Sequence, residues 1–268
     1  MSILPTRKLL SAARAHHGFT LVELMVAMAL AVFLLGGLVT IVQNVRQTDT
    51  NQRSLSQLQD AERFALTVIT DVVQAGGYLP DAVAWTPAAS LVQTGNWEAG
   101  QALSGTHVVA APGDTLRVRF RTAINDGVIL CDGSTNTAQG ATHAFTNTFS
   151  VQPNANPALS GLYCQVDNLG PSAAAPGVLL VAGIVNMKIY YGVKRNFAAA
   201  DYNVDTYLTA DQMCSPLTNP CGSDDWSNVS SVRVILTFTN PLAGQAGQPP
   251  QIQFERLIQV MGRAGVHT

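Results

Sequence analysis

The sequence has little charge and lacks the motifs by which many enzymes and nucleic-acid-binding proteins are recognised. Charged residues make up 12% of the 268 residues, and the formal net charge is -2. No Lys/Arg-rich run interleaved with aromatic residues occurs, so nothing favours a nucleic-acid partner. No Gly-x-Ser-x-Gly motif or phosphate-binding glycine loop is found, and we predict neither catalysis nor a cofactor. The hydrophobic content of 47% excludes a disordered chain and is sufficient for a sizeable core.

Proline is missing between Pro5 and Pro80, and charge is nearly missing from 19–45. We predict one helix from about Phe19 to Ala75, roughly 85 Å long, with Gly76 and Gly77 as its stop. Its first part, 19–45, spans about 40 Å as a helix, enough to cross a hydrocarbon layer of about 30 Å. That apolar run is too long for an ordinary signal peptide. The preceding residues carry +3 from Arg7, Lys8 and Arg14, which favours the cytoplasmic side for them.

Glu23 is the only ionisable side chain between Phe19 and Val45. A carboxylate inside a membrane span costs several kcal/mol unless it is neutralised or paired. Cleavage after Gly18 would create an amine on Phe19, one helical turn away, which could pair with Glu23 within one chain or between neighbours. The alternative is that the Glu23 side chain extends to the lipid headgroups on the cytoplasmic side, which its place near the end of the membrane span allows.

The stretch Gly18-Phe19-Thr20-Leu21-Val22-Glu23, followed by the apolar run, resembles the type III signal of type IV prepilins and type II secretion pseudopilins. The resemblance implies that a prepilin peptidase cuts between Gly18 and Phe19 and methylates the amine of Phe19. It also implies that Glu23 guides subunit docking during assembly. Gly36 and Gly37 lie in the same run, and two interpretations fit them, a hinge and a site of close helix packing.

The sequence after the membrane segment predicts an amphipathic helix followed by many strands. Apolar residues recur at spacings of three and four at Leu55, Leu58, Ala61, Ala65, Ile69 and Val72. Four segments with alternating hydrophobicity read as strands: 114–122, 184–193, 231–239 and 250–260. "GVILC" at 127–131 and "GVLLVAG" at 177–183 read as more fully buried strands. The predicted fold class is therefore α+β, with the amphipathic half-helix packed on an antiparallel sheet.

Arg63-Phe64 on the helix and the exit Ala75-Gly76-Gly77-Tyr78 resemble PilW-type minor pilins. That resemblance implies a structural subunit that primes or joins type IV pilus assembly, with the adhesion and motility that pili serve. The implied partners are other minor and major pilins, the inner membrane and a tip adhesin. The implied location is the inner membrane with a periplasmic domain, and later the pilus. A GspJ-like pseudopilin at the tip of a type II secretion pseudopilus is the alternative.

We predict a leader at 1–18, a membrane and assembly segment at 19–45, an amphipathic segment at 46–76 and a β-rich domain at 77–268.

The four cysteines, Cys131, Cys164, Cys214 and Cys221, all follow the membrane helix. With the leader in the cytoplasm they lie on the side where disulfides persist. Four cysteines allow three pairings. We favour Cys214 with Cys221, which closes a short loop, and Cys131 with Cys164, which links two strand-like segments. The lack of a Cys-x-x-Cys motif or a nearby histidine argues against zinc, and we predict no metal site.

Two weaker signals receive structural interpretations. Asp201, Asn203 and Asp205 have the spacing of a calcium loop, but the glycine and bidentate glutamate of such a loop are missing, so we favour a solvated turn. Arg117, Arg119 and Arg121 alternate along one strand, and we predict that they form its solvent face.

Overall fold

The computed structural model describes residues 18–81, 86–95, 97–137, 142–156, 159–167, 177–196, 203–214 and 225–261. Arg7, Lys8 and Arg14 of the predicted leader lie outside the described residues, as do Asp201 and Cys221. The chain divides into two compact units, Met1–Gln52 and Arg53–Thr268.

One continuous helix, α1, spans Leu21–Gln74, close to the predicted 19–75. In the first unit its apolar side chains are exposed along the whole run up to Val45. Gly36 and Gly37 lie inside α1 without interrupting it, and a Cβ atom at either position would contact nothing within 4 Å. Within the described ranges, α1 is the one helix long and apolar enough to cross a membrane.

The second half of α1 belongs to the second unit and buries one face there. Its buried residues are Leu58, Ala65, Leu66, Ile69, Val72 and Val73, and they share a core with residues of both sheets. This agrees with the predicted apolar face. The helix ends where Gly77 adopts a φ of 78°, a left-handed conformation that glycine tolerates. The Gly77 N–H then donates to the Arg119 carbonyl at 3.1 Å, which fixes the chain to the sheet.

Two antiparallel sheets form the rest of the second unit, which confirms the α+β class. The first has the order β1-β2-β3-β4-β5 and the second β7-β6-β8-β9. The strands are β1 Leu103–Thr106, β2 Thr115–Ala123, β3 Thr142–Gln152, β4 Gly161–Asp167, β5 Val178–Ala182, β6 Ile184–Val193, β7 Thr206–Leu208, β8 Ser231–Thr239 and β9 Gln251–Gln259. A short helix, α2, spans Pro87–Ser90, and a 3-10 turn spans Trp226–Asn228.

The sheets are joined by apolar packing and by one buried carboxylate. β6 lies against β2, β3 and β4 of the first sheet. Asp114, which precedes β2, accepts from the Val108 N–H at 2.9 Å and from the Ile189 N–H of β6 at 2.7 Å. His107 Nδ1 lies 2.9 Å from the same carboxylate. Because hydrogen bonds to a charged group are stronger than neutral ones, Asp114 holds the loop after β1 against β6.

Three sequence predictions about strands are wrong. "GVILC" is not a strand: within it only Ile129 forms an isolated bridge, to Thr135. "GVLLVAG" does contain β5, but β5 is an edge strand with Val178 and Leu179 exposed, so it is not fully buried. Arg119 does not face solvent, because residues within 86–95 and 97–102 cover that side of β2, and its side chain is 0% exposed.

Candidate functional site

The start of α1 brings together the three residues of the predicted signal, Gly18, Phe19 and Glu23. Gly18, Phe19 and Thr20 precede the helix, and the Phe19 side chain is 80% exposed. A Cβ atom at Gly18 would contact nothing within 4 Å. The bond between Gly18 and Phe19 therefore lies in accessible, non-helical chain, the conformation that a peptidase requires.

Thr20 caps this helix, a role that the sequence interpretation missed. Its Oγ1 accepts from the Glu23 N–H at 3.3 Å, and its carbonyl accepts from the Leu24 N–H at 3.2 Å. The spacing Thr-x-x-Glu, typical of a capping box, was the available signal. Glu23 is the acidic residue of the first turn, where a carboxylate interacts favourably with the positive end of the helix dipole.

Glu23 is exposed among exposed apolar side chains, including Val22, Leu24 and Met25. In the part of the chain that the structure describes, its carboxylate forms no ion pair. A cation that neutralises the Glu23 carboxylate in an apolar environment must therefore be a group that it does not contact in this structure. The amine that cleavage would create on Phe19, in the same or a neighbouring chain, has the required charge.

The cysteines lie in the second unit. Cys131 and Cys164 are joined by a disulfide, with their Cα atoms 5.9 Å apart. The bond connects β4 to the loop between β2 and β3, and the Cys131 N–H donates to Asn147 Oδ1 of β3 at 2.8 Å. Cys214 is also disulfide-bonded. Its pairing with Cys221 stays a prediction, because Cys221 lies outside the described residues.

Arg119 holds the described residues of 86–95 and 97–102 on the outer side of the first sheet. Its guanidinium donates to four backbone carbonyls, those of Leu91, Val92, Glu98 and Gln101, at 2.7 to 3.3 Å. It also lies 4.8 Å from the ring centroid of Trp97. Burial lowers the pKa of Arg119 to about 10, so the side chain stays charged at neutral pH. The arginine thus holds a structural segment and is not available to a partner.

The carboxylate of Asp205, in the suggested calcium loop, accepts hydrogen bonds from neighbouring residues of the chain. It accepts from the N–H of Arg195, the N–H of Asn196 at 2.7 Å and the hydroxyl of Thr206 at 2.8 Å. These donors, first the Arg195 N–H, lower the pKa of Asp205. Among the described residues there is no group of three His, Cys, Asp or Glu side chains that could hold a metal ion. The contacts of Asp205 are those of a turn.

Two family models match separate regions of the chain. The prokaryotic N-terminal methylation motif matches residues 13–39, which include Gly18, Phe19 and Glu23. The family described as type IV pilus-assembly protein W, PilW, matches residues 146–256, which run from β3 into β9. The chain is a minor pilin of the PilW type. The apolar helix and the pilin signal together point to membrane anchoring and to association with a pilus.

No curated protein sequence matches this minor pilin. Among solved structures, it is similar to the type IV-like pilin TTHA1219 from Thermus thermophilus, with a TM-score of 0.40 and 13% sequence identity. The alignment covers 77% of this chain and 96% of that one.

Proposed function

We propose that the minor pilin is made with the leader 1–18 and that a prepilin peptidase removes it by cutting between Gly18 and Phe19. The match to the methylation motif over 13–39 supports this proposal. The exposed, non-helical chain at Gly18 and Phe19 supports it independently, because a peptidase needs an accessible bond. The same enzyme then methylates the new amine of Phe19.

The processed chain is held by 19–45 in the inner membrane, with 77–268 in the periplasm, until it enters a pilus. The positive charge of the leader supports this orientation, since basic flanks favour the cytoplasm. The segment 46–76 continues the helix and contributes its apolar face to the β-rich domain. Oxidation of Cys131 with Cys164 suits a domain outside the cytoplasm.

Glu23 recruits the subunit into the filament by pairing with the Phe19 amine of a neighbouring pilin. Its exposed position in an apolar run supports this role, because an unpaired carboxylate there is costly and a cationic partner removes the cost. The cap formed by Thr20 stabilises the turn that presents Glu23.

The chain acts as a structural subunit rather than an enzyme, and it primes or joins pilus assembly with other minor and major pilins and a tip adhesin. The observation that carries this proposal is the presence in one chain of the methylation motif and the PilW region. Nothing in these matches favours the secretion pseudopilus.

The test compares pilus number with membrane abundance in one strain. Deletion of the chain should remove surface pili and leave type II secretion intact. Glu23→Val should reach normal levels in the membrane yet fail to restore pili, although removal of a charge from the apolar run favours insertion. Glu62→Gln, which removes a carboxylate from the second half of the same helix, is the matched control and should restore pili. Full restoration by Glu23→Val would contradict the docking role, and loss of secretion with normal pili would contradict the pilus assignment.

A further inference from the structure

A groove of about 240 Å³ opens on the second unit between α1 and the loop that follows β2. Its lining residues are Phe64, Val68, Asp71 and Val72 of α1, residues 129–133 of the loop, and Leu180 of β5. The helix α1 therefore contributes four of the ten lining residues. The lining of the groove is mainly apolar, and it includes two acidic residues, Asp71 and Asp132.

The apolar residues at the groove are exposed to an extent that calls for an explanation. Phe64 is 52% exposed and Ile129 is 62% exposed. Contiguous exposed apolar surface with polar residues beside it is typical of interaction sites. The volume is below the roughly 300 to 1,000 Å³ of small-molecule pockets. It suits one or two side chains of a protein partner, in the way that anchor residues fill interface pockets.

The loop wall is held in place before any partner arrives. The disulfide between Cys131 and Cys164 ties it to β4, and Asn147 of β3 accepts from the Cys131 N–H. Within the loop, the Leu130 N–H donates to the Ser134 carbonyl at 2.8 Å. A pre-organised site loses less conformational entropy on binding, so these contacts favour affinity.

The charge of the groove selects the partner. Asp71 is exposed, and Asp132 Oδ1 accepts from the N–H and the hydroxyl of Ser134 at 2.9 and 2.6 Å. Within the described ranges neither carboxylate forms an ion pair. A cation beside the inserted apolar side chain would be attracted by both carboxylates, whereas an anionic lipid headgroup would be repelled.

We propose that this groove receives an apolar side chain, flanked by a lysine or arginine, from a different pilin subunit of the same filament. The inference rests on the proposed function, which supplies the class of partner. The apolar volume accommodates the anchor, and Asp71 and Asp132 bind the neighbouring cation. The groove thus selects which subunit follows or precedes this one.

The test uses the full chain in cells that assemble pili, with a photo-crosslinking amino acid in place of Ile129. After irradiation, the tagged chain is purified and the crosslinked peptide is identified by mass spectrometry. We expect a peptide of another pilin in which an apolar residue lies within a few positions of a lysine or arginine. The matched control carries the same amino acid at Val109, which is 83% exposed in the loop after β1, at the opposite edge of the first sheet. That control should not capture the same peptide.

Charge removal tests the selection. The double variant Asp71→Asn and Asp132→Asn keeps the shape of the groove, and an asparagine at 132 can still accept from Ser134. Two exposed ion pairs contribute about 1 kcal/mol together, so the crosslink from position 129 should fall about fivefold. Membrane level and processed mass should stay normal, which excludes misfolding as the cause.

Several outcomes would overturn the proposal. These are a crosslink to a second copy of this chain, to lipid or to a protein that is not a pilin, no crosslink in cells with normal pili, and an unchanged yield in the double variant. If deletion of the chain leaves pili intact, the proposed function itself fails. If deletion removes pili while position 129 captures no pilin, only the groove proposal fails.

Discussion

Replacement of Arg119 by methionine should destabilise the second unit severely, because methionine has no hydrogen-bond donor. Its volume is similar, so the effect comes from the lost hydrogen bonds and not from a cavity. Two of the four guanidinium hydrogen bonds, to the Leu91 and Gln101 carbonyls, are buried. The Leu91 carbonyl keeps the hydrogen bond from the Gly100 N–H at 2.8 Å, so it loses one of its two donors. The Gln101 carbonyl loses its donor, and a buried carbonyl without a partner costs about 1–3 kcal/mol. The Val92 and Glu98 carbonyls are nearer to solvent and can bind water instead.

The expected loss is about 3 kcal/mol when the weakened hydrogen bonding of Leu91 and the contact with Trp97 are included and the relief of a buried charge is subtracted. For a unit of this size each kcal/mol lowers Tm by about 2–4 °C, so Tm should fall by roughly 6–12 °C. Thermal unfolding of the detergent-solubilised chain, followed by near-ultraviolet circular dichroism, measures this. Limited proteolysis should also cut 86–102 faster, since these residues lose their anchor.

Arg117→Met is the matched control, because Arg117 is on the same strand and exposed. Its effect should stay within about 0.5 kcal/mol. Arg119→Lys should fall between the two, since it keeps the charge but not the planar set of donors. If Arg119→Met melts within 2 °C of the wild type, on the order of the 0.5 kcal/mol surface range, the reasoning about buried carbonyls is refuted.

Three further predictions concern processing, oxidation and pH. The Gly18→Trp variant should keep its leader, because a bulky side chain at this position blocks the peptidase site. The described chain itself leaves room for the side chain, so the effect is on cleavage and not on folding, and a mass without the leader would contradict this. Non-reducing peptide mapping should link Cys131 to Cys164 and Cys214 to Cys221, and a free Cys131 thiol would contradict the structure. Asp205→Asn should lower stability at neutral pH. Because the folded pKa of Asp205 is lowered, its contribution is present above the usual value of 3.8 and is lost as the pH falls through the folded pKa. A stability gap that does not change with pH would show that the carboxylate charge is irrelevant.

The helix could be predicted from sequence because its signals are local. The lack of proline between Pro5 and Pro80, the apolar run and the periodic face from Leu55 to Val72 all act within a few turns, and α1 spans Leu21–Gln74 accordingly. β6 and β8 were also predicted with their observed bounds, since each is a long run with a buried face.

The wrong predictions have long-range causes. Alternation along β2 could not reveal that residues within 86–95 and 97–102 lie over Arg119. "GVILC" is apolar enough for a strand, but its end is held by Cys164 and Asn147, which are distant in sequence. Short strands such as β1 and β7 depend on their neighbours for stability and have no periodic signal of their own.

The signal residues show the same division. Gly18, Phe19 and Glu23 belong to one short motif, so their roles could be predicted from the sequence alone. The groove depends on three separate stretches, at α1, 129–133 and β5, and no pattern within any one of them reports the others. Its acidic residues become neighbours only after the fold has formed.

The strand order of the first sheet has a consequence for how the chain matures. β1 to β5 pair in the order in which they are synthesised, so every hydrogen-bonded neighbour in this sheet precedes residue 183. Sheets built from sequential strands close short loops and form early. Cys131 and Cys164 therefore meet within a sheet whose hydrogen bonds need no residue beyond 182. If this sheet closes before the second one, Cys214 and Cys221 have only each other left, so the order of folding selects one of the three pairings.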